Sequence, residues 1–357
     1  MRKCIILLFI YFEIEFSIGD RSNDIFDVYS IKNRNRQAKV YWNIPTFQCD
    51  SQKLNFTRLA EKYAIVHNAN DMFRGDKITI LYDPGSFPAI LKDGSKTFLR
   101  NGGVPQKGNL TKHLEIFRAL LKELIPDDNF SGIGIIDFES WRPIFRQNFG
   151  VLSEYKNLSI SIEKRRHPFW PSVWIEKEAT NRFETFAKKF MEQTLSAAKI
   201  IRPNATWGYY AYPYCFNMSP NNMQQKCPKE VIEENNRIQW LFLNDDNFYP
   251  SIYLPNLRLT ENEKVQMIQG RIEESRRIKK QFNRTSKIIP YFWYKYQDTN
   301  KFVTKTDLSN AFGVLSKSDI DGLVIWGSSN DVNSKQKCLD LYHYIDNTLG
   351  PLLVNSF

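Results

Sequence analysis

The chain has 357 residues, 42% of them apolar and 14% aromatic, and a formal charge of +10, so it has the material for one large buried core. Its four histidines are scattered and no C-x-x-C pair occurs, which excludes a zinc or redox centre and leaves no cofactor to expect. No apolar run approaches the roughly 20 residues of a membrane span, so no membrane anchor is expected.

Met1-Arg2-Lys3, the apolar run Cys4–Phe12 and the small residues Ser17 and Gly19 follow the order of a secretory signal peptide, assigned to residues 1–19. The chain is therefore expected to be secreted. Outside the cell a basic protein meets polyanionic glycans rather than nucleic acid. Residues 20–38 are polar without a period and read as a propeptide or loose arm; residues 39–357 read as a single domain. Cys4 leaves with the signal. Cys49, Cys215, Cys227 and Cys338 remain, suited to disulfides in an oxidising compartment, with three pairings open. Sequons make Asn55, Asn109, Asn129, Asn157, Asn204 and Asn283 candidate glycosylation sites. A further sequon at Asn217 sits too close to Cys215 and the proposed site to be counted with them.

Strands are predicted at Val40–Pro45, Lys77–Asp83, Gly132–Glu139, Thr206–Tyr212, Ser251–Leu254, Ile288–Tyr294 and Gly322–Trp326. Helices are predicted near 111–125, 178–201, 260–282, 306–315 and 334–348, with a loop insertion around His167–Pro171. Strands alternating with helices imply βαβ units, and about seven parallel strands imply an α/β fold: a distorted TIM-like (β/α) barrel. No G-x-G-x-x-G follows the first strand and there is no P-loop, which argues against a nucleotide-binding sheet.

In such a barrel the chemistry lies at the C-terminal strand ends. Here those ends read Tyr82-Asp83, Asp137-Phe138-Glu139, Tyr209-Tyr210-Ala211-Tyr212, Tyr253, Trp293-Tyr294 and Trp326. Aromatic faces pack against the C–H faces of sugars, so this rim suits carbohydrate as well as core packing. Asp137 and Glu139, at i and i+2 on one strand, share a face. Two carboxylates that close cannot both ionise cheaply, so one stays protonated near neutral pH, as a general acid must. Glycoside hydrolysis needs such an acid.

The segment Gly132-Ile-Gly-Ile-Ile-Asp-Phe-Glu-Ser-Trp-Arg-Pro-Ile-Phe-Arg-Gln-Asn148 resembles the active-site segment of the hyaluronidase family of glycoside hydrolases, especially the insect venom enzymes. The resemblance recurs at Tyr82-Asp-Pro-Gly85, Arg100-Asn-Gly-Gly-Val-Pro-Gln106, Trp207-Gly-Tyr-Tyr210, Tyr249-Pro-Ser-Ile-Tyr253 and Ile325-Trp-Gly-Ser-Ser-Asn330, and spans about 40–352. It implies the pairing Cys49–Cys338 with Cys215–Cys227, and cleavage of β-1,4 bonds after N-acetylglucosamine in hyaluronan, with chondroitin as a second candidate. Glu139 would be the proton donor and Asp137 would orient the substrate's acetamido group, itself the nucleophile. Tyr210 and Tyr253 match that pocket, Trp326 its floor, and Tyr82, Asp83, Arg142, Arg271, Ser328 and Ser329 the groove. A monomer is expected. Phe149, Ala211 and Phe292 depart from the pattern, standing where tryptophan, glycine and tryptophan are common. Two rival readings fit less well. An inactive hyaluronan-binding antigen would have lost the acid pair, and a chitin-acting barrel would carry a D-x-x-D-x-D-x-E strand, which is absent.

Overall fold

In the computed structural model, which describes residues 38–94 and 96–357, parallel strands alternate with helices. The leader assigned to 1–19 and all but the last residue of the arm assigned to 20–38 lie outside the described residues. Three strands, β1 (Lys39–Asn43), β2 (Ile78–Tyr82) and β5 (Ile133–Asp137), are joined by β6 (Thr206–Tyr209), β7 (Asn247–Phe248), β8 (Lys287–Ile288), β9 (Tyr291–Trp293) and β10 (Gly322–Trp326). They pair in parallel as β2-β5-β6, β7-β8 and β1-β10-β9, with single parallel bridges at Tyr210–Tyr249 and Ser251–Tyr291. Such strands are covered on both faces, which explains near-continuous apolar runs such as ITILY and GLVIW. Close packing inside the sheet is specific: a Cβ at Gly134 would stand 2.4 Å from the Trp207 ring, so only glycine lets that indole lie flat on β5.

Most predicted strands come out shorter than expected: β2 is Ile78–Tyr82, β5 stops at Asp137 and β6 at Tyr209, so Glu139 and Tyr210 lie beyond their strands, and two further cases trace to proline. Ser251–Leu254 contributes one bridge, the strand itself being β7 just before it, because Pro250 offers no N–H to a ladder. Ile288–Tyr294 breaks into β8 and β9 at Pro290 for the same reason. The hairpin β3 (Ala89–Asp93) and β4 (Lys96–Arg100) was not predicted, although Gly94-Ser95 between two apolar-polar runs is a two-residue turn signal.

Five helices matter below: α1 (Leu110–Leu124), α2 (Ser153–Arg166), α3 (Ser172–Ile201), α4 (Glu261–Gln281) and α5 (Lys305–Leu315). Helix α3 buries Ile175, Ala179, Phe183, Ala187, Phe190, Thr194 and Ala198, a stripe spaced by three or four residues as a helical face requires. Helix α2 escaped prediction because Ser159 and Glu163 occupy buried positions and erase its apolar period. The turn His167–Pro171 joins α2 to α3. The predicted C-terminal helix runs Lys335–Tyr344 and continues through a π turn into Gly350–Ser356. Cys49–Cys338 ties the first strand's connection to that helix, and Cys215–Cys227 closes a short loop; both are the expected pairs.

Candidate active site

Strand register assembles the site. Tyr82 pairs with Asp137 at the ends of β2 and β5, while Asn43, Trp326 and Trp293 align at the ends of β1, β10 and β9. A cleft of about 390 Å³ is lined by Glu139, Arg142, Tyr210, Tyr214, Tyr253 and Arg271, and adjoins these ends where Tyr253 stacks on Trp326.

Asp137 is half-buried, and its pKa is pushed up to about 8, first by burial, then by the neighbouring charges of Glu139 and Asp83. Glu139 is exposed on the cleft wall, yet the protein packed around it raises its pKa, and the Arg142 guanidinium pulls it back down. The larger shift therefore falls on Asp137, not on Glu139. Since the two interact, they titrate as one pair that holds a single proton near neutral pH.

An aromatic cluster packs behind Tyr253. Trp326 stacks on Tyr253 with centroids 5.6 Å apart and meets Trp293 edge-on at 5.4 Å. Trp326 Nε1–H donates to the Tyr82 hydroxyl at 2.8 Å, and Tyr82 stacks on Phe73 under the Arg74 guanidinium. Tyr210 is buried beside Tyr253 at 6.2 Å; burial, then the charge of Glu139, holds its phenol well above the usual range. Tyr210 stays a neutral O–H donor.

Two guanidiniums face this cleft. Arg142 is clasped by the rings of Phe149, Tyr214 and Phe216 at 5.1, 4.9 and 5.1 Å, and donates to the Gln147 carbonyl at 2.7 Å. Arg271, from α4, donates to the Ser251 carbonyl at 2.6 Å and to Asn217 Oδ1 at 3.2 Å; burial lowers its pKa to about 10. Among the described residues neither makes an ion pair. Asp83 differs: Arg100 from β4 grips it through both oxygens, at 2.5 and 2.8 Å. Ser328 lies at the rim as an N-cap, its hydroxyl accepting from Asn330 N–H, and Ser329 beside it is exposed.

Sequence reasoning passed over Asp331, which is buried and accepts from Trp293 Nε1, Lys295 Nζ and Ser328 N–H, so one carboxylate fixes the Trp293 indole and the Ser328 turn together. Its signal was Ser328-x-x-Asp331, a capping box directly after the last strand. Arg100, Tyr214 and Asn217 were also missed as positioning residues. Asn217 is buried, with its amide donating to the Gln225 and Met267 carbonyls.

A parallel α/β fold whose strand ends carry a coupled carboxylate pair above stacked aromatic rings has the equipment of a glycoside hydrolase. Residues 31–356 match the family model described as hyaluronidase. The hyaluronidase of Apis mellifera is 50% identical over 319 residues, covering 88% of this chain and 83% of its own. That of Vespa magnifica is 48% identical over 322 residues, 90% of each. Among solved structures, the crystal structure of bee venom hyaluronidase in complex with hyaluronic acid tetramer superimposes with a TM-score of 0.88 at 49% identity, covering 89% of this chain and 99% of that one. This chain belongs to the hyaluronidase family of glycoside hydrolases.

Proposed function

We propose that this chain is a secreted endo-β-N-acetylhexosaminidase that cuts the β-1,4 bonds of hyaluronan with retention, using the substrate's acetamido oxygen as nucleophile. The observation that carries this reading is the supply of carboxylates. Asp137 and Glu139 leave one strand end two residues apart, and the nearby Asp83 is occupied by Arg100. Among the described residues lining the cleft, no carboxylate faces the acid from across the sugar, as a protein nucleophile would.

An acetamido N–H donating to Asp137 favours its ionised form, which sends the pair's proton to Glu139. Glu139 then protonates the leaving oxygen as the C1–O bond breaks and the acetamido oxygen bonds to C1. Asp137 stabilises the positive charge on nitrogen. Water, losing a proton to Glu139, reopens the ring on the same face. Tyr210 and Tyr253 hold the acetamido group against Trp326, while Tyr82, Ser328 and Ser329 line the groove. Arg142 and Arg271, lacking carboxylate partners, bind the glucuronate groups. Asp83 acts through Arg100 to shape the wall.

The same reading takes the parallel strands as one irregular barrel, residues 1–19 as a signal peptide and the working unit as a monomer. Glycan attachment is assigned to the exposed Asn55, Asn109, Asn129, Asn157 and Asn204. Asn283 is left out, since its amide donates to the Phe242, Leu243 and Asp245 carbonyls. The test is the first-formed product: NMR before mutarotation should show the β-anomer at the new reducing end, and replacing N-acetyl by a free amine should abolish cleavage. An initial α-anomer means direct attack by water and overturns the mechanism. Chondroitin in the same assay measures selectivity.

A further inference from the structure

Helix α4 carries cations well beyond Arg271. A groove of about 480 Å³ along its C-terminal half is lined by Arg276, Arg277, Lys279, Lys280 and Arg284, with Glu273 and Asp319 as its carboxylates. An adjoining groove of about 600 Å³ shares Glu273 and Arg276 and continues between α4 and α5, past Gln269, Ser309, Asn310 and Lys317. Neither shares a residue with the cleft. Arg284 and Asp319 lie in the connections entering β8 and β10, at N-terminal strand ends, whereas the acid pair leaves the C-terminal end of β5. In a parallel arrangement those are opposite ends of the fold.

Two of these cations are neutralised. Arg277 pairs with Glu274 at 2.8 Å and Lys279 with Asp321 at 3.0 Å. Arg276, Lys280, Arg284 and Lys317 make no ion pair and no side-chain hydrogen bond among the described residues. Four unpaired cations thus face two carboxylates. Arg276 and Lys280 are four residues apart on one helix, an arrangement in which like charges oppose each other. The helix dipole favours cations at the C-terminus of α4, which accounts for Lys280. It does not account for Arg276 in the turn before, for Arg284 in the following loop, or for Lys317 beyond α5. The groove wall is also kept low. Nothing stands within 4 Å of where a side chain would begin at Gly313 on α5, although glycine in a helix is unfavourable relative to alanine.

We infer that this double groove binds an anionic polysaccharide chain, separately from the cleft. Guanidiniums on different elements suit carboxylates or sulfates spaced along a polymer, and Gln269, Ser309 and Asn310 suit its hydroxyls. The binding step does not depend on the catalytic reading, because no catalytic residue lines the groove.

The experiment uses the full chain carrying Glu139→Gln to stop cleavage, with and without Arg276→Glu, Lys280→Glu and Arg284→Glu. Affinities for long hyaluronan, heparin and uncharged dextran are measured at several salt concentrations. The triple variant should bind at least one anionic polymer about tenfold more weakly and with a shallower salt dependence, while dextran stays unbound by both. Which polymer loses affinity tells carboxylate from sulfate recognition. In the chain with Glu139 restored, turnover of short hyaluronan oligosaccharides should stay within twofold of the parent. Unchanged affinity for both polymers overturns the inference, and so does an equal loss of short-oligosaccharide turnover. Should the triple variant misfold, Arg284→Gln alone, in an exposed loop, should give the same direction of change. If the parent proves unable to cleave hyaluronan, the heparin measurement still decides the groove.

Discussion

Lys264 meets Asp307 at 2.6 Å with both side chains almost wholly covered, and Lys295 meets Asp331 at 2.9 Å, equally covered. At the candidate site, Asp137, Glu139 and Arg271 are also crowded by protein, yet among the described residues none has an opposite charge at ion-pair distance. In the first set each charge meets its opposite: Asp307 Oδ2 accepts from Lys264 and Tyr296, leaving only its Oδ1 without a partner among the described residues, and Asp331 accepts from Trp293 as well. The second set is left unneutralised, held there by surrounding packing. Charges satisfied internally specify structure; charges kept unsatisfied are available to a ligand. The comparison predicts opposite outcomes for mutations that look alike on paper.

The largest effect should follow Glu139→Gln. Turnover of hyaluronan should fall by about 10²–10⁴-fold, the usual contribution of a general acid, while binding and melting temperature hold or rise. Turnover within threefold of the parent would remove Glu139 from the role. Asp307→Ala should do the reverse. It strands the Lys264 ammonium in the interior and should cost about 3–5 kcal/mol in chemical denaturation, with kcat of the folded protein unchanged. A loss under about 1 kcal/mol would place this pair among weak surface bridges and break the distinction.

The pair's proton gives a third, smaller effect. Below about 8 the Asp137–Glu139 pair retains one proton; as pH rises through about 8 the pair becomes fully ionised, and no acid remains to protonate the leaving oxygen. Activity should therefore fall on the alkaline side near that value. In Asp137→Asn the proton belongs to Glu139 alone, whose pKa is raised less, so whatever activity survives should fall at lower pH. A kcat/KM profile whose alkaline limb is the same in both proteins would show that the two carboxyls do not share the proton.

How far the sequence carried this comparison depended on the kind of signal. The carboxylate pair and the aromatic residues were legible because they cluster at predicted strand ends, where Tyr82, Asp137 and Trp326 do close β2, β5 and β10, although β5 stops at Asp137 and Glu139 lies two residues beyond it rather than on its face. The helices with a regular apolar stripe, α1, α3 and α4, were legible for the same reason. What stayed hidden was tertiary. Nothing local announces that Arg100, on an exposed hairpin, will occupy Asp83, or that Asp331 will hold a tryptophan at the end of β9 and a lysine just beyond it. Nor could spacing say which acid of the pair is raised further, because that follows from how deeply each is covered.

The smallest predicted effect concerns backbone rather than charge, and it lies beside the cleft. Ala211 has φ +72, a left-handed conformation that costs a residue with a Cβ about 1–2 kcal/mol. Its N–H donates to the Tyr249 carbonyl at 2.9 Å, and it follows directly on Tyr210, so the surrounding ladder holds both in place. Ala211→Gly should relieve the strain, but glycine gives the unfolded chain extra freedom worth roughly 0.5–1 kcal/mol, so most of the gain is offset. Stability should rise by no more than about 1 kcal/mol, with Tyr210 undisturbed and kcat within a few-fold of the parent. Ala211→Val, β-branched at the same φ, should be clearly destabilised. If the glycine variant instead loses more than about 1 kcal/mol, the methyl group is packing the cleft wall rather than straining it, and this part of the site belongs with the satisfied scaffold.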